Sequence, residues 1–277
     1  MGLLPPGSPP TGEGLCRVEV VILSGADEIA AMAAEVFVAL LSRKPTAVLG
    51  LATGSSPLGV YQSLTDRHRA GEVSFAQAGA FLLDEYVGLP AEHPQRYRSV
   101  IGEVFEEYVD FAPGAVRGPD GYAADLTAAC ERYEAAIAAA GGVDVQLLGI
   151  GTDGHIAFNE PGSSLASRTR IKTLTAQTRA DNARFFSSPS EVPHHVLTQG
   201  LGTISDARHV LLLATGSGKA AAVHAMVEGP VSAFCPASVL QLHRHATVLL
   251  DDAAASSLAL GDYYRETFAQ KPSWQGL

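Results

Sequence analysis

The chain is poor in the features that mark most specialised protein classes. Its three cysteines, Cys16, Cys130 and Cys235, are an odd number, far apart and without a C-x-x-C pair. That spacing excludes a disulfide framework and a zinc ribbon, and it predicts a reducing, cytoplasmic compartment. No run of 18 consecutive apolar residues occurs, so no membrane-spanning helix is expected. Residues 1–15 have neither a basic n-region nor an apolar h-region, which excludes a secretory signal. With Pro5, Pro6, Pro9 and Pro10 among glycines, this stretch reads as a disordered tail, and residues 1–17 are set apart as an extension. Basic residues are also scarce, 19 Lys and Arg against 29 Asp and Glu, for a formal charge of -10. Nucleic acid and anionic membrane are thereby excluded as partners, because the net field repels polyanions. An anionic ligand has to be met by a local site.

The 277 residues are 47% hydrophobic and only 17% charged, with 7% aromatics, the composition of a globular protein with a sizeable core. From residue 18, short β-branched or Leu-rich runs alternate with Ala-rich segments of helical periodicity. This is the pattern of an α/β fold, an open parallel sheet flanked by helices, and no linker divides residues 18–277. Strands are predicted at 18–23, 47–52, 80–83, 143–149, 209–214 and 246–250. Helices are predicted at 57–69, 97–108, 122–140, 219–227 and 253–268. A further helix follows the first strand, with Ser24 and Asp27 resembling a capping box and Ile29, Met32, Val36 and Leu40 on one face.

Polar residues cluster where the strands end: Thr53-Gly54-Ser55-Ser56, Asp84-Glu85-Tyr86, Thr152-Asp153-Gly154-His155 and Thr215-Gly216-Ser217-Gly218-Lys219. In an open parallel sheet that edge forms the ligand crevice, so the four clusters predict one site. Gly54 and Ser55 lead into a helix whose N-terminus suits a phosphate, although a simple helix cap with Pro57 in the first turn explains them as well. The Gly216–Lys219 segment is not a nucleotide P-loop, since Leu213 stands at its first Gly and Ala220 at its Ser/Thr. Lys219 is either a second phosphate contact or a solvated surface lysine. Gly149, Gly151 and Gly154 fit G-x-G-x-x-G, but Asn159-Glu160-Pro161-Gly162 breaks the helix a dinucleotide site needs.

Adjacent strand residues face opposite ways, so only one of Asp84 and Glu85 looks into the crevice, and the pair reads equally as a helix cap or salt bridge. Asp153, His155 and Glu160 place two carboxylates around an imidazole suited to proton transfer near neutral pH. The other histidines, His194-His195 and His243-x-His245, lack ligand partners at familiar spacing, and no metal is expected.

Several longer runs resemble the glucosamine-6-phosphate deaminase family. They are Leu51-Ala52-Thr53-Gly54-Ser55-Ser56-Pro57, Leu83-Asp84-Glu85-Tyr86-Val87-Gly88-Leu89-Pro90 and the stretch from Gly149 to Pro161. Ser163 to Leu174, Asn182 to Phe186 and Leu240-Gln241-Leu242-His243 continue the likeness, which spans nearly the whole chain from about Val18. The resemblance implies a modified Rossmann-like sheet and an enzyme converting glucosamine 6-phosphate and water to fructose 6-phosphate and ammonia in amino-sugar catabolism, without a cofactor. It implies that Asp84 removes the C2 proton and that His155 assists ring opening, supported by Asp153 and Glu160. By the same likeness Gly54, Ser55, Arg184 and Lys219 hold the phosphate. It further implies a homo-oligomer in which Ser163, Arg170, Lys172 and Tyr263 bind an activator, N-acetylglucosamine 6-phosphate. The N-terminal extension bears on that activation, because the regulated members use their own N-terminus at the activator site. Two other functions stay open at this point: a 6-phosphogluconolactonase-like hydrolase, which needs no base at C2, and a sugar-phosphate sensor without chemistry.

Overall fold

The computed structural model describes residues 17–272 and 275–277. The disordered tail expected at residues 1–16 lies outside the described residues, and Arg17, placed in that extension by the sequence reading, instead begins the first strand. The chain runs β1 (Arg17–Leu23), α1 (Ala26–Arg43), β2 (Val48–Leu51), α2 (Leu58–Arg69), β3 (Gly79–Leu82), β4 (Asp84–Tyr86), α3 (Tyr97–Val104), β5 (Val116–Arg117) and α4 (Leu126–Ala139). It continues through β6 (Val145–Gly149), β7 (Arg170–Thr173), α5 (Ala176–Asn182), β8 (His195–Thr198), α6 (Leu201–Ser205) and β9 (His209–Ala214), and closes with α7 (Ala220–Val227), β10 (His245–Asp251) and α8 (Gly261–Ala269).

Seven strands form one sheet in the order β1-β10-β9-β6-β2-β3-β5, every pair parallel. Helices cover both faces, which is why β2 (VLGL) and β9 (HVLLLA) are buried at every position and almost wholly apolar. From β2 the chain steps outward through β3 to β5, then returns and steps the other way through β6, β9 and β10. The direction reverses between β2 and β6, and at such a switch point the loops diverge and open a crevice at the carboxyl ends. Gly50 permits the pairing there, because a Cβ would collide with the buried Gln146 side chain across the strands.

A second, three-stranded antiparallel sheet, β4-β8-β7, was not expected from the sequence, nor was β5. Their strands have two to four residues, and β7 alternates half-buried and exposed positions, so no apolar run announces them. Several helices are also shorter than expected. α4 starts at Leu126, where Asp125 caps it by accepting the Ala128 N–H at 2.9 Å. α3 stops at Val104 before a 3-10 turn, and α8 begins only at Gly261. At α1, Ser24 pairs with Glu28 rather than Asp27, donating both its N–H and its hydroxyl to that carboxylate. The buried face of α1 is Ile29, Ala33, Val36, Phe37 and Leu41, rotated from the expected stripe, while Met32 and Leu40 are half-buried.

Candidate active site

β9, β6, β2 and β3 are consecutive in the sheet and parallel, so their carboxyl ends lie side by side. The four polar clusters follow these four strands. The strand order therefore brings together what the sequence scatters over more than 160 positions.

The loop after β6 stands at the centre. Gly151 N–H donates to the His155 carbonyl at 2.8 Å, and Gly154 at φ +84° turns the chain back. Within this turn the His155 Nδ1 lies 2.7 Å from Asp153 Oδ1, and the His155 backbone N–H donates to the same oxygen at 3.2 Å. The ring and the carboxylate are in close contact, an ion pair whenever the imidazole is protonated. Burial pushes the Asp153 carboxyl up, yet the charge, backbone N–H and ring of His155 together outweigh it and hold Asp153 below its ordinary value. No side chain other than glycine's fits at 151, because a Cβ would fall on the His155 ring and the Asp153 carboxylate. Behind the loop, a Cβ on Gly154 would lie 2.7 Å from Cys235 Sγ, and Ala237 N–H donates to the Gly154 carbonyl.

Glu160 completes the cluster from the far side of the turn. It is buried and accepts the Thr178 hydroxyl at 2.6 Å, and one ligating atom from each of Asp153, His155 and Glu160 falls within 4.8 Å of the others. Such a set can shuttle protons or hold a cation. Ala157, between His155 and Glu160, sits at φ 50°, the one described non-glycine residue with positive φ, and marks the loop as held by its surroundings.

Asp84 reaches this site along a different route. The chain leaves the large sheet after Leu82, whose carbonyl accepts from the Tyr133 hydroxyl at 2.6 Å and the Gln199 amide at 3.0 Å, and enters the small sheet with Asp84 opposite Thr198. Thr198 and Gln199 also hold the His155 loop: the Thr198 hydroxyl accepts the Phe158 N–H, and the Gln199 carbonyl accepts the buried Asn159 amide at 2.9 Å. One dipeptide at the end of β8 thus anchors both Asp84 and the His155 loop. Nothing in its local sequence announces this, because the partners lie 40 and 117 positions away.

The ambiguity between Asp84 and Glu85 resolves as the alternation of strand residues requires. Glu85, fully buried, caps α3 by accepting the N–H groups of Tyr97 and Arg98. Asp84 is buried without such donors, and its carboxyl is raised well above the ordinary range, first by burial and second by the neighbouring Glu85.

Gly54 and Gly216, at φ +102° and +85°, turn the chain after β2 and β9, the two strands flanking β6. The Ala52 N–H and C=O both bond the Tyr61 hydroxyl, at 3.1 and 2.7 Å, so the corner before Gly54 and Ser55 is clipped to the first turn of α2. Gly216 N–H is engaged by the Asp251 carboxylate, while Lys219 ends the 3-10 turn that leads into α7. Arg184 lies on another segment, the 3-10 turn Ala183–Phe185, with its guanidinium 4.7 Å from the Phe185 ring centre. Of the remaining candidates, Ser163 is buried with its hydroxyl unbonded, Arg170 and Lys172 stand on β7, and Tyr263 is exposed on α8. A surface groove of about 430 Å³ between α1 and α2, lined by Asp27, Gly59, Gln62 and Arg67, lies on the helical face and contains none of these groups. No described helix is long and apolar enough to cross a membrane.

A sequence model for glucosamine-6-phosphate isomerases/6-phosphogluconolactonase matches residues 24–249. The chain is 67% identical over 261 residues to a glucosamine-6-phosphate deaminase of Mycolicibacterium smegmatis, covering 94% of this chain and 100% of the relative. It is 63% identical over 261 residues to a Streptomyces coelicolor protein of the same name, with the same coverage. Among solved structures, one described as a monomeric glucosamine-6-phosphate deaminase superposes with a TM-score of 0.84 at 43% identity, covering 87% of this chain and 100% of that one. A 6-phosphogluconolactonase from Trypanosoma cruzi superposes at 0.71 with 20% identity over 90% of this chain and 100% of that one, which shows a shared fold.

Proposed function

Because the chain belongs to the family of glucosamine-6-phosphate isomerases and 6-phosphogluconolactonases, we propose that its strand-end crevice converts glucosamine 6-phosphate and water to fructose 6-phosphate and ammonia. The observation that carries this reading is the shared anchor of Asp84 and the His155 loop on Thr198 and Gln199. A lactone hydrolase has no use for a buried carbon base, and a sensor has no use for an acid–base set. In the proposed reaction His155, held by Asp153 and Glu160, moves the protons that open the pyranose ring. Asp84 takes the proton from C2 and returns it to C1, leaving an iminium at C2. Water adds there, and ammonia departs. A carboxyl whose proton affinity is raised by burial sits closer to neutrality, where it can both accept and release that proton. The chemistry needs neither metal nor organic cofactor.

Gly54, Ser55, Arg184 and Lys219 hold the phosphate in this reading, anchoring the substrate away from the reacting carbons. Ammonia release from glucosamine 6-phosphate, compared with unphosphorylated glucosamine, tests the activity and its anchor together. Lys219→Ala lowers kcat/KM for the phosphorylated sugar about 10- to 100-fold, the worth of one charge-assisted contact. Equal turnover of both sugars by the unaltered protein overturns the phosphate assignment.

The reading extends to a cytoplasmic homo-oligomer activated by N-acetylglucosamine 6-phosphate at Ser163, Arg170, Lys172 and Tyr263. Tyr263 stands on α8, which packs against β1, the edge of the large sheet far from β3 and from the small sheet that carries Arg170 and Lys172. In this reading a second copy completes the activator site. Substrate saturation curves with and without the activator, measured beside the solution mass, decide it. A monomer with unchanged hyperbolic curves overturns this extension and leaves the catalytic reading standing.

A further inference from the structure

Glu85 is a heavily bonded carboxylate beside the site, and the reaction described above does not use it. Its side chain is completely buried. Oε1 accepts the N–H groups of Tyr86 at 3.0 Å and Tyr97 at 2.9 Å, Oε2 accepts the Arg98 N–H at 3.0 Å, and Arg96 Nε lies 3.7 Å from Oε2. The residue at the N-cap position of α3, Arg96, makes no side-chain cap of its own, so the cap comes from the strand. Burial raises the Glu85 carboxyl, while the three N–H donors, the helix N-terminus and the Arg96 guanidinium pull it back and favour the ionised form. β4 has only three residues, and its pairing with Thr198, Leu197 and Val196 of β8 is a short ladder. The α3 cap is a second tie on the same strand, reinforced where the Tyr97 hydroxyl meets the Tyr86 hydroxyl at 3.3 Å.

We propose that Glu85 is a positioning residue for Asp84: it locks the short strand carrying the base to α3 and keeps a fixed negative charge directly behind the proton-transferring carboxyl. The inference rests on the reading of Asp84 as the base. The other titratable groups facing Asp84 are Tyr86 on the same strand, Tyr97 on α3 and Tyr133 on α4, all held neutral because burial raises them. Asp153, His155 and Glu160 stand on the loop after β6, at the same edge of the sheet. Arg96 faces Glu85, while the Arg98 guanidinium is taken by Glu106 at 2.5 Å. Glu85 is thus the fixed charge behind the base, on the face of the strand away from substrate.

The test is the pH profile of kcat/KM for glucosamine 6-phosphate. Removing a negative neighbour makes ionised Asp84 less costly, so the base stays active to lower pH. Glu85→Gln therefore moves the acid limb down by about one pH unit and lowers the plateau about tenfold, because the base is weaker and its strand looser. Glu85→Asp keeps the charge but shortens the reach, so it lowers the plateau and leaves the limb in place. A Glu85→Gln limb at the wild-type pH overturns the proposal and reduces Glu85 to a helix cap. If Glu85→Gln does not fold, Glu85→Asp decides: a limb at the wild-type pH supports the fixed-charge role, and one displaced by the full unit overturns it. Asp84→Asn separates the two levels, since full activity there removes the base itself, whereas an inactive Asp84→Asn beside an unmoved Glu85→Gln limb removes only this inference.

Discussion

Asp84→Asn lowers turnover of glucosamine 6-phosphate by about 10²- to 10⁴-fold, the usual loss when a general base is removed, and leaves substrate binding close to wild type. The reason lies in the geometry of β4. Asp84 is held by backbone pairing to Thr198 and not by hydrogen bonds to its own carboxyl, so the amide enters the same space without tearing out a structural contact. What it loses, in the proposed reaction, is the capacity to take the C2 proton. A carboxylate moving a proton between adjacent carbons must reach both without competition from water, and a buried carboxyl at the end of a strand meets that condition. Steady-state ammonia release measures the loss in kcat, and calorimetric titration with the substrate measures binding. Product formed by the wild type in deuterated water carries solvent deuterium at C1 to the extent that the shuttled proton exchanges. A variant that turns over at the wild-type rate sinks the assignment.

Gly151→Ala produces the second large effect, on the partner half of the site. The added methyl has no free volume: its position coincides with the His155 imidazole and falls 2.7 Å from Asp153 Oδ1. Either the ring is pushed out of its contact with Asp153 or the turn closed by the Gly151 N–H and the His155 carbonyl opens. Both outcomes misplace the imidazole that opens the ring in the proposed reaction, and a displacement of about 1 Å already costs on the order of 100-fold in rate. The expected result is a folded protein with kcat lowered by at least about that factor. Gly102→Ala is the matched control. In α3 its methyl meets only the Arg98 guanidinium at an ordinary 3.7 Å, and alanine suits a helix interior better than glycine. Activity in Gly102→Ala at the wild-type level, with loss in Gly151→Ala, locates the effect in the His155 turn. Wild-type activity in both would show that the turn relaxes around the methyl and that its close packing has no catalytic role.

The sequence by itself determined the parallel α/β layering and the positions of six strands, because buried strands in such a sheet are apolar runs and the helices between them repeat at helical spacing. It also placed Gly54, Asp84, His155 and Lys219 just beyond strand ends, since polar and glycine-rich punctuation is a local signal. Strand order was decided only by the tertiary structure. Whether β6 lies between β2 and β9 depends on which faces the crossover helices bury, and it is this order that sets the four clusters side by side. The small sheet has no local sequence signal, because Asp84-Glu85-Tyr86 and Arg170-Ile171-Lys172-Thr173 become strands only by pairing with β8. A strand of three or four polar residues has no stability apart from its partner. The division of labour between Asp84 and Glu85 was settled the same way: alternation along a strand says that one faces the crevice, but the position of α3, which supplies donors to Glu85 and none to Asp84, says which.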